Sequence, residues 1–503
     1  MIGSVAAALL RTLTVARAER FEKAVGECAA AQRTTLTRLV GAAAVTEYGR
    51  CFGLRSDDDV DEFRAKFPLV KYGELQSWIE RTRDGEANVM VPGKVRQFEP
   101  TSGSGGGVKL IPYNEALLKS FRSLFAIWAS DLLRHMLRPR SGRFFISVSP
   151  RLPAQNKARH DADYLTGGLR LLVAPFLVTP GLTRTDADPA GFRDELALTL
   201  LRCSNLEVIS VWSPTYLLVL LEHIAVRRTE LAARLPSDRR VLLETERIDW
   251  ARIWPRLQLV SCWTAAAARL PSLELARSLP QARLQGKGLL ATEAPITVPL
   301  VQAGGCVPLT DEVFIELESE SGSLCLLHEA QPDRDYAVIV STPGGLMRYR
   351  LGDRVRVTGR WLDTPLLEFA GRVDAVCDLV GEKLDESQVA AALYALMPAT
   401  AYAVLVPSAG TTPACYQLIT DARVADLGPR LDAALCKGHR YREARALGQL
   451  AAPQVLMLPA ACRIVHDFLI ADGLAAGDVK DSALLHSLDR AARLLSSIRG
   501  ASR

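Results

Sequence analysis

Residues 98–114, FEPTSGSGGGVKLIPYN, hold a run of hydroxyl residues and glycines, then one lysine, an apolar stretch and a helix cap. Three readings compete: a spacer, a tight turn, and a phosphate-binding loop. Glycines beside Ser and Thr let consecutive backbone N–H groups converge on an anion, while hydroxyls and a lysine add donors and charge. Thr101, Ser102, Gly103, Ser104 and Lys109 supply all of these. The stretch is not a Walker loop, because Lys109 follows Val108 rather than a glycine at a helix start, and it lacks the third glycine of a dinucleotide fingerprint. VRQF and VKLIPY flank it as short strand candidates, so the loop joins two strands. By pattern alone, a glycine-rich hairpin and a phosphate loop both stay open.

Working outward, Leu117, Leu118, Phe121, Leu124, Phe125, Trp128, Leu132 and Met136 recur at three- and four-residue spacing behind Asn114, which predicts a capped helix. Residues 1–50 also read as helix. Downstream, FFISVS, LEVISVW and LQLVSCW read as strands, LRLLVAPFL as a helix, and SPTYLLVLLEHI as a Pro-started helix. From Gly304 the texture turns all-β: VFIELE, CLLHEA, YAVIVST, GGLMRYRLGDRVRVTGR and LLEFAGR. After Arg372, AVCDLV and AYAVLVP are strand candidates and ESQVAAALYALM a helix. The change of texture divides the chain into a large domain, 1–371, and a small one, 372–503.

The composition agrees with a two-domain enzyme-sized chain: 503 residues, 49% hydrophobic and 23% charged. The net charge of +5 is mild and no run of like charges occurs, so neither nucleic acid nor a membrane surface is implied as partner. The ten cysteines sit singly, without CxxC spacing, which points to a reducing cytoplasm. No window approaches the ~18 uncharged apolar residues of a membrane span. MIGSVAAALLRTLTVARAERF carries its arginines after the apolar stretch and reads as an amphipathic helix rather than a signal peptide. The seven histidines are scattered without metal-ligand spacing, and Trp128, Trp212 and Trp263 fall on apolar faces that suit core packing. A monomer is the default expectation.

Three further stretches can carry chemistry. In RYRLGD (348–353), Gly352 bends the chain before Asp353, and a carboxylate at such a turn can accept from two neighbouring hydroxyls, as on a ribose. GRVD (371–374) and GEKLDE (381–386) lie at the expected boundary. In LLATEAP (289–295), Glu293 follows an apolar run and can serve a metal ion or an amine. Each has a bland alternative in a turn, a loop or a capped helix.

Their order is more informative than any one of them. A Ser/Gly/Lys loop, then ATE, RYRLGD and GRxD…GEKxxE before a small C-terminal domain resembles the adenylate-forming superfamily. TEYGR (46–50), DYLTGGL (163–169), ISVWSPTYLL (209–218), GKGLLATEAP (286–295) and YREARALGQL (441–450) narrow the resemblance to the auxin-responsive acyl-acid amido synthetase (Gretchen Hagen) family, in its bacterial form. The resemblance implies a mixed α/β fold: a large N-terminal adenylation domain with sheets, helices and a β-barrel-like part, and a small mobile α+β C-terminal domain. It implies an enzyme that uses ATP and Mg²⁺ to turn a carboxylic acid into an acyl-adenylate, releasing pyrophosphate, and then passes the acyl group to the amine of an amino acid. Thr101, Ser102, Gly103, Ser104 and Lys109 would hold the phosphates. Ala291, Thr292 and Glu293 would meet the α-phosphate, with Glu293 placing Mg²⁺. Tyr349 and Asp353 would face the nucleoside, Arg372 would sit near ribose and phosphate, Asp374 would mark the hinge, and Lys480 would be the C-terminal catalytic lysine. Gly105 and Leu289 depart from the family, which has a hydroxyl residue and a tyrosine there. A thiol acceptor, coenzyme A or a carrier protein, is the competing enzyme reading. A silent binding protein of the same fold is the competing non-enzyme reading, against which stand Lys109, Glu293, Asp353 and Arg372.

Overall fold

The computed structural model describes residues 2–102, 108–146, 174–179, 189–373, 375–410, 412–474 and 479–501. They fall into two compact units, one built from 5–138 with 287–374, the other from 1–4, 139–286 and 375–503.

In the first unit the opening stretch forms an antiparallel hairpin, Gln97–Ser102 with Val108–Tyr113, in a register that sets Thr101 opposite Lys109 and Ser102 opposite Val108. The expectation that the loop joins two strands holds. Asn114 then caps the helix Glu115–His135: its Oδ1 accepts from the Leu117 N–H at 2.8 Å, and its Nδ2 donates to the Pro343 carbonyl at 2.7 Å. The buried face of this helix carries Leu117, Phe121, Leu124 and Leu132 of the foretold stripe, together with Ile127, which the stripe did not include; Leu118, Phe125 and Trp128 are half-buried. The residues before 50 form Ile2–Gly26, Cys28–Ala44 and the short Glu47–Cys51. Gln32 ties the second of these to the sheet region, its amide donating to the Thr310 and Val313 carbonyls, each at 2.8 Å, and accepting from Ile315 N–H at 2.9 Å. A buried amide with these groups matched adds specificity without an unpaired polar atom.

The β-rich region after Gly304 is a five-stranded antiparallel sheet in the order Leu324–Leu326, Phe314–Glu318, Asp335–Ser341, Tyr349–Trp361, Thr364–Arg372. A hairpin, Thr297–Leu300 with Gly305–Pro308, precedes it. The strand Tyr349–Trp361 bulges: Ala337 faces Arg354 and Ile339 faces Arg350, so extra residues are inserted around Gly352, at φ +84°. Only glycine takes that backbone region without strain, and a bulge of this kind re-aims the side chains beside it.

The second unit contains a parallel sheet, Arg143–Ile146, Leu206–Ser210, Leu259–Cys262 and Arg283–Gly286, in chain order. The helix Pro214–Val226 starts at its proline, as SPTYLL foretold, and Ser213 caps it by accepting from Tyr216 N–H at 3.2 Å. Trp212 and Trp263 follow adjacent strands, with rings 5.7 Å apart. After residue 375 come the strands Ala403–Ser408, Cys415–Thr420 and Gln454–Met457 and the helix Glu386–Leu396. DYLTGGL and most of the helix expected at LRLLVAPFL lie outside the described residues; Ala174–Phe176 is a single 3₁₀ turn.

Among the described residues no helix is long and apolar enough to cross a membrane.

Candidate functional site

The site grows from the hairpin at 97–113 and the bulged strand, both in the first unit. Tyr113, the last hairpin residue and fully buried, donates its hydroxyl to the Thr292 carbonyl at 2.7 Å. The ATE loop is thereby pinned to the strand that carries Lys109. The loop is tight in itself. Leu289 N–H donates to Thr297 Oγ1 at 2.7 Å, Ala291 N–H to the Ala294 carbonyl at 3.1 Å, and Leu290 bridges Pro295. Gly288 is required here, since a Cβ would stand 2.4 Å from the Thr297 carbonyl oxygen.

This loop turns Glu293 inward, to 8% exposure. Burial pushes its carboxyl above the ordinary range, Asp353 adds repulsion, and Lys109 and Arg372 pull the other way. One electrostatic field therefore joins Lys109, Glu293, Asp353 and Arg372, residues spread over more than 260 positions of sequence. The Tyr349 hydroxyl stands 3.5 Å from Glu293 Oε1, at the limit of a hydrogen bond, and burial raises its phenol as well. Asp353 and Arg372 are direct partners in the strand register and form an ion pair at 3.3 Å. Lys109 lies with its ammonium 5.6 Å from the centre of the Tyr72 ring, and the Tyr72 hydroxyl accepts from Leu110 N–H at 2.7 Å. The aromatic face attracts the cation.

Gly103, Ser104 and Asp374, and the departure at Gly105, lie outside the described residues; Thr101 and Ser102 close the hairpin just before them. Lys480 belongs to the other unit and is exposed. Tyr72 and Tyr113 escape sequence reasoning, because a lone tyrosine far along the chain carries no motif. Arg348 and Arg350, which flank Tyr349 in the motif, are taken up structurally. Arg348 is buried against Glu316 at 3.0 Å, and Arg350 pairs with Glu318.

Among the described residues no group of three or more His, Cys, Asp or Glu converges on a metal position. Glu293 offers a single buried carboxylate, which fits Mg²⁺ held mainly by phosphate oxygens and water.

Comparison with known proteins identifies the family. Residues 17–271 match the GH3 family N-terminal domain and residues 312–372 the GH3 family central domain. The chain belongs to the GH3 family. It is 23% identical over 406 residues to a putative indole-3-acetic acid-amido synthetase, GH3.10, of Oryza sativa subsp. japonica, covering 72% of this chain and 81% of that one. It is 29% identical over 247 residues to a GH3 domain-containing protein of Homo sapiens, covering 42% and 45%. The fold matches the GH3.15 acyl acid amido synthetase solved with 2,4-DB, with TM-score 0.80, 18% identity and 97% and 96% of the two chains covered. A 2-hydroxyisobutyryl-CoA ligase in its postadenylation state shares the fold more distantly, with TM-score 0.58 and 12% identity over 95% and 92%. The adenylate-forming architecture expected from the order of motifs is thus the architecture of this GH3 chain.

Proposed function

We propose that this GH3 protein is an ATP-dependent acyl-acid amido synthetase. The observation that carries the reading is the convergence of a buried carboxylate, a lysine and an Asp–Arg pair beside the pinned ATE loop. In the first half-reaction a substrate carboxylate attacks the α-phosphorus of ATP and the bond to pyrophosphate breaks. The attacking group is already anionic, so the protein supplies no base; it holds the reactants in line and offsets charge that builds on the leaving phosphates. Lys109 and the N–H groups of 101–109 are assigned that charge, Thr292 and Ala291 the α-phosphate, and Asp353 the ribose hydroxyls, with Arg372 and Tyr349 beside them. In the second half-reaction an amino acid's neutral amine attacks the acyl carbonyl, AMP leaves, and one proton is released to solvent. Lys480 is assigned to the first half-reaction.

Glu293 is assigned as the protein ligand of Mg²⁺, which when bound shields the phosphate charge from the incoming carboxylate. A ligand carboxylate must be ionised, and Glu293 holds its proton to higher pH than an exposed glutamate. Mg²⁺ affinity, titrated calorimetrically with a non-hydrolysable ATP analogue, is therefore expected to weaken as pH falls, starting above the ordinary carboxylate range. Glu293→Gln should remove that dependence, and an unchanged titration would reject the assignment.

We further propose that the C-terminal segment pivots near Arg372–Asp374. One of the boundaries between the compact units falls between 374 and 375, which supports a bend of the chain there; residues 375–503 share their unit with 139–286. All ten cysteines are free thiols, which supports a reducing compartment such as the cytoplasm.

The reading is tested by trapping with hydroxylamine. Across aryl, indolic and aliphatic acids, at least one should yield a hydroxamate with ATP and Mg²⁺, and that acid with a panel of amino acids should yield an amide detectable by mass. A thioester with coenzyme A in place of any amide would favour the thiol acceptor.

A further inference from the structure

Lys480 stands at the start of a segment that is held from two sides within one unit. From one side, Glu386 accepts from the Ser482 hydroxyl at 2.7 Å, from Ala483 N–H at 2.8 Å and from His486 Nε2 at 3.2 Å. The backbone of the segment adds to the strand Ala403–Ser408, with Leu405 N–H donating to Ala483 at 2.8 Å and Leu485 N–H to Leu405 at 2.9 Å. From the other side, the Thr215 hydroxyl donates to Asp481 Oδ1, and the Ser213 hydroxyl stands beside the same carboxylate. Thr215 and Ser213 open the helix Pro214–Val226, which belongs to the part of the chain before residue 286, whereas Asp481 belongs to the C-terminal part. Two ion pairs run along the same junction, Arg193 with Asp467 at 2.7 Å and Arg463 with Glu222 at 3.7 Å.

The residue next to a lysine assigned to catalysis is thus fastened to a different part of the fold, while the lysine itself is exposed. Asp481 Oδ2 is buried without a hydrogen-bond partner. An unpartnered buried oxygen costs stability, so the clasp is carried by the hydroxyls that meet this carboxylate.

We infer that Asp481, clasped by Thr215 and Ser213, is a positioning residue for Lys480, on a segment shaped by Glu386. The inference rests on the reading that Lys480 serves the first half-reaction. Loss of the clasp lets the lysine wander and reduces the rate of adenylation without altering how ATP or the acid binds.

The test compares the full-length protein with Thr215→Val, Thr215→Ser, Lys480→Ala and the double variant Thr215→Val/Lys480→Ala in acid-dependent pyrophosphate exchange, alongside melting temperatures. Thr215→Val removes the hydroxyl at constant shape and should lower kcat about tenfold with KM for ATP and acid nearly unchanged. Thr215→Ser should restore exchange to within about twofold of wild type. The double variant should fall no further than Lys480→Ala alone, because both changes act through one group. A structural role would make the losses additive. Should Thr215→Val fail to fold, Asp481→Asn combined with Lys480→Ala is read in the same way. If wild type exchanges pyrophosphate and Thr215→Val matches it, or the losses add, the inference is overturned while the function stands. If wild type exchanges with no acid, the function itself fails, and the inference with it.

Discussion

Lys109→Ala is expected to cut acid-dependent pyrophosphate exchange by about two to three orders of magnitude, the usual cost of removing one group that meets charge developing in a transition state. Lys109 sits on a hairpin strand opposite Thr101, its ammonium lies over Tyr72, and its charge reaches buried Glu293, as that of Arg372 does. Removing it takes one positive charge from the side of the site where Glu293 and Asp353 face the phosphates. The fold should survive, since the side chain is only partly buried and its contact with Tyr72 is worth about 0.5–1 kcal/mol. Lys109→Arg should recover only part of the rate, because a planar guanidinium presents its charge differently. Wild-type exchange by Lys109→Ala would remove the hairpin from the site.

Glu316→Ala is expected to be the most destabilising change in the first unit, at about 3–5 kcal/mol, because it strips a buried guanidinium of its counter-ion. Glu316 is 1% exposed and accepts from Arg348 Nε and Nη2, both at 3.0 Å, and from Arg64 Nε at 2.8 Å. Arg348 also donates to the Phe67 carbonyl at 2.7 Å and the Arg64 carbonyl at 3.1 Å, so it cannot swing out without breaking several bonds at once. It further takes a left-handed backbone, φ +46°, that a side chain tolerates only when its surroundings hold it. Denaturant unfolding should show a lower midpoint at unchanged slope. A loss under about 1 kcal/mol would mean that the pair is screened by solvent.

Much of the fold was legible because local rules and packing agree. Asn114 caps the helix that its position foretold, Pro214 starts the helix read from SPTYLL, and the spacing of Leu117, Phe121 and Leu124 marked the face that is buried. The bend at Gly352 was legible for the same reason: the glycine occupies a backbone conformation that other residues resist. The site was legible only in part, through motif order. RYRLGD reads as one cluster, yet the structure divides it. Arg348 and Arg350 are spent on Glu316 and Glu318, and only Tyr349 and Asp353 face Glu293 and Arg372. Nothing in a strand's period of two tells a buried structural arginine from a ligand-facing one. Tyr113 and Thr292 are 179 positions apart, and no local pattern encodes a pairing over that span. Other shared motifs proved structural: in TEYGR, Gly49 has Ala43 at its back, where a Cβ would stand 2.1 Å from the carbonyl oxygen, and in YREARALGQL, Tyr441 and Arg445 both bind Asp432. Glu293 in LLATEAP, readable as an ordinary solvated loop glutamate, is turned inward by the tight loop around it.

The most direct test of the central claim is exchange of labelled pyrophosphate into ATP by the wild-type protein, with Mg²⁺ and each acid of an aryl, indolic and aliphatic panel. The account predicts exchange that depends on one class of acid and vanishes without it. No exchange with any acid, together with no ATP binding by calorimetry, would contradict it.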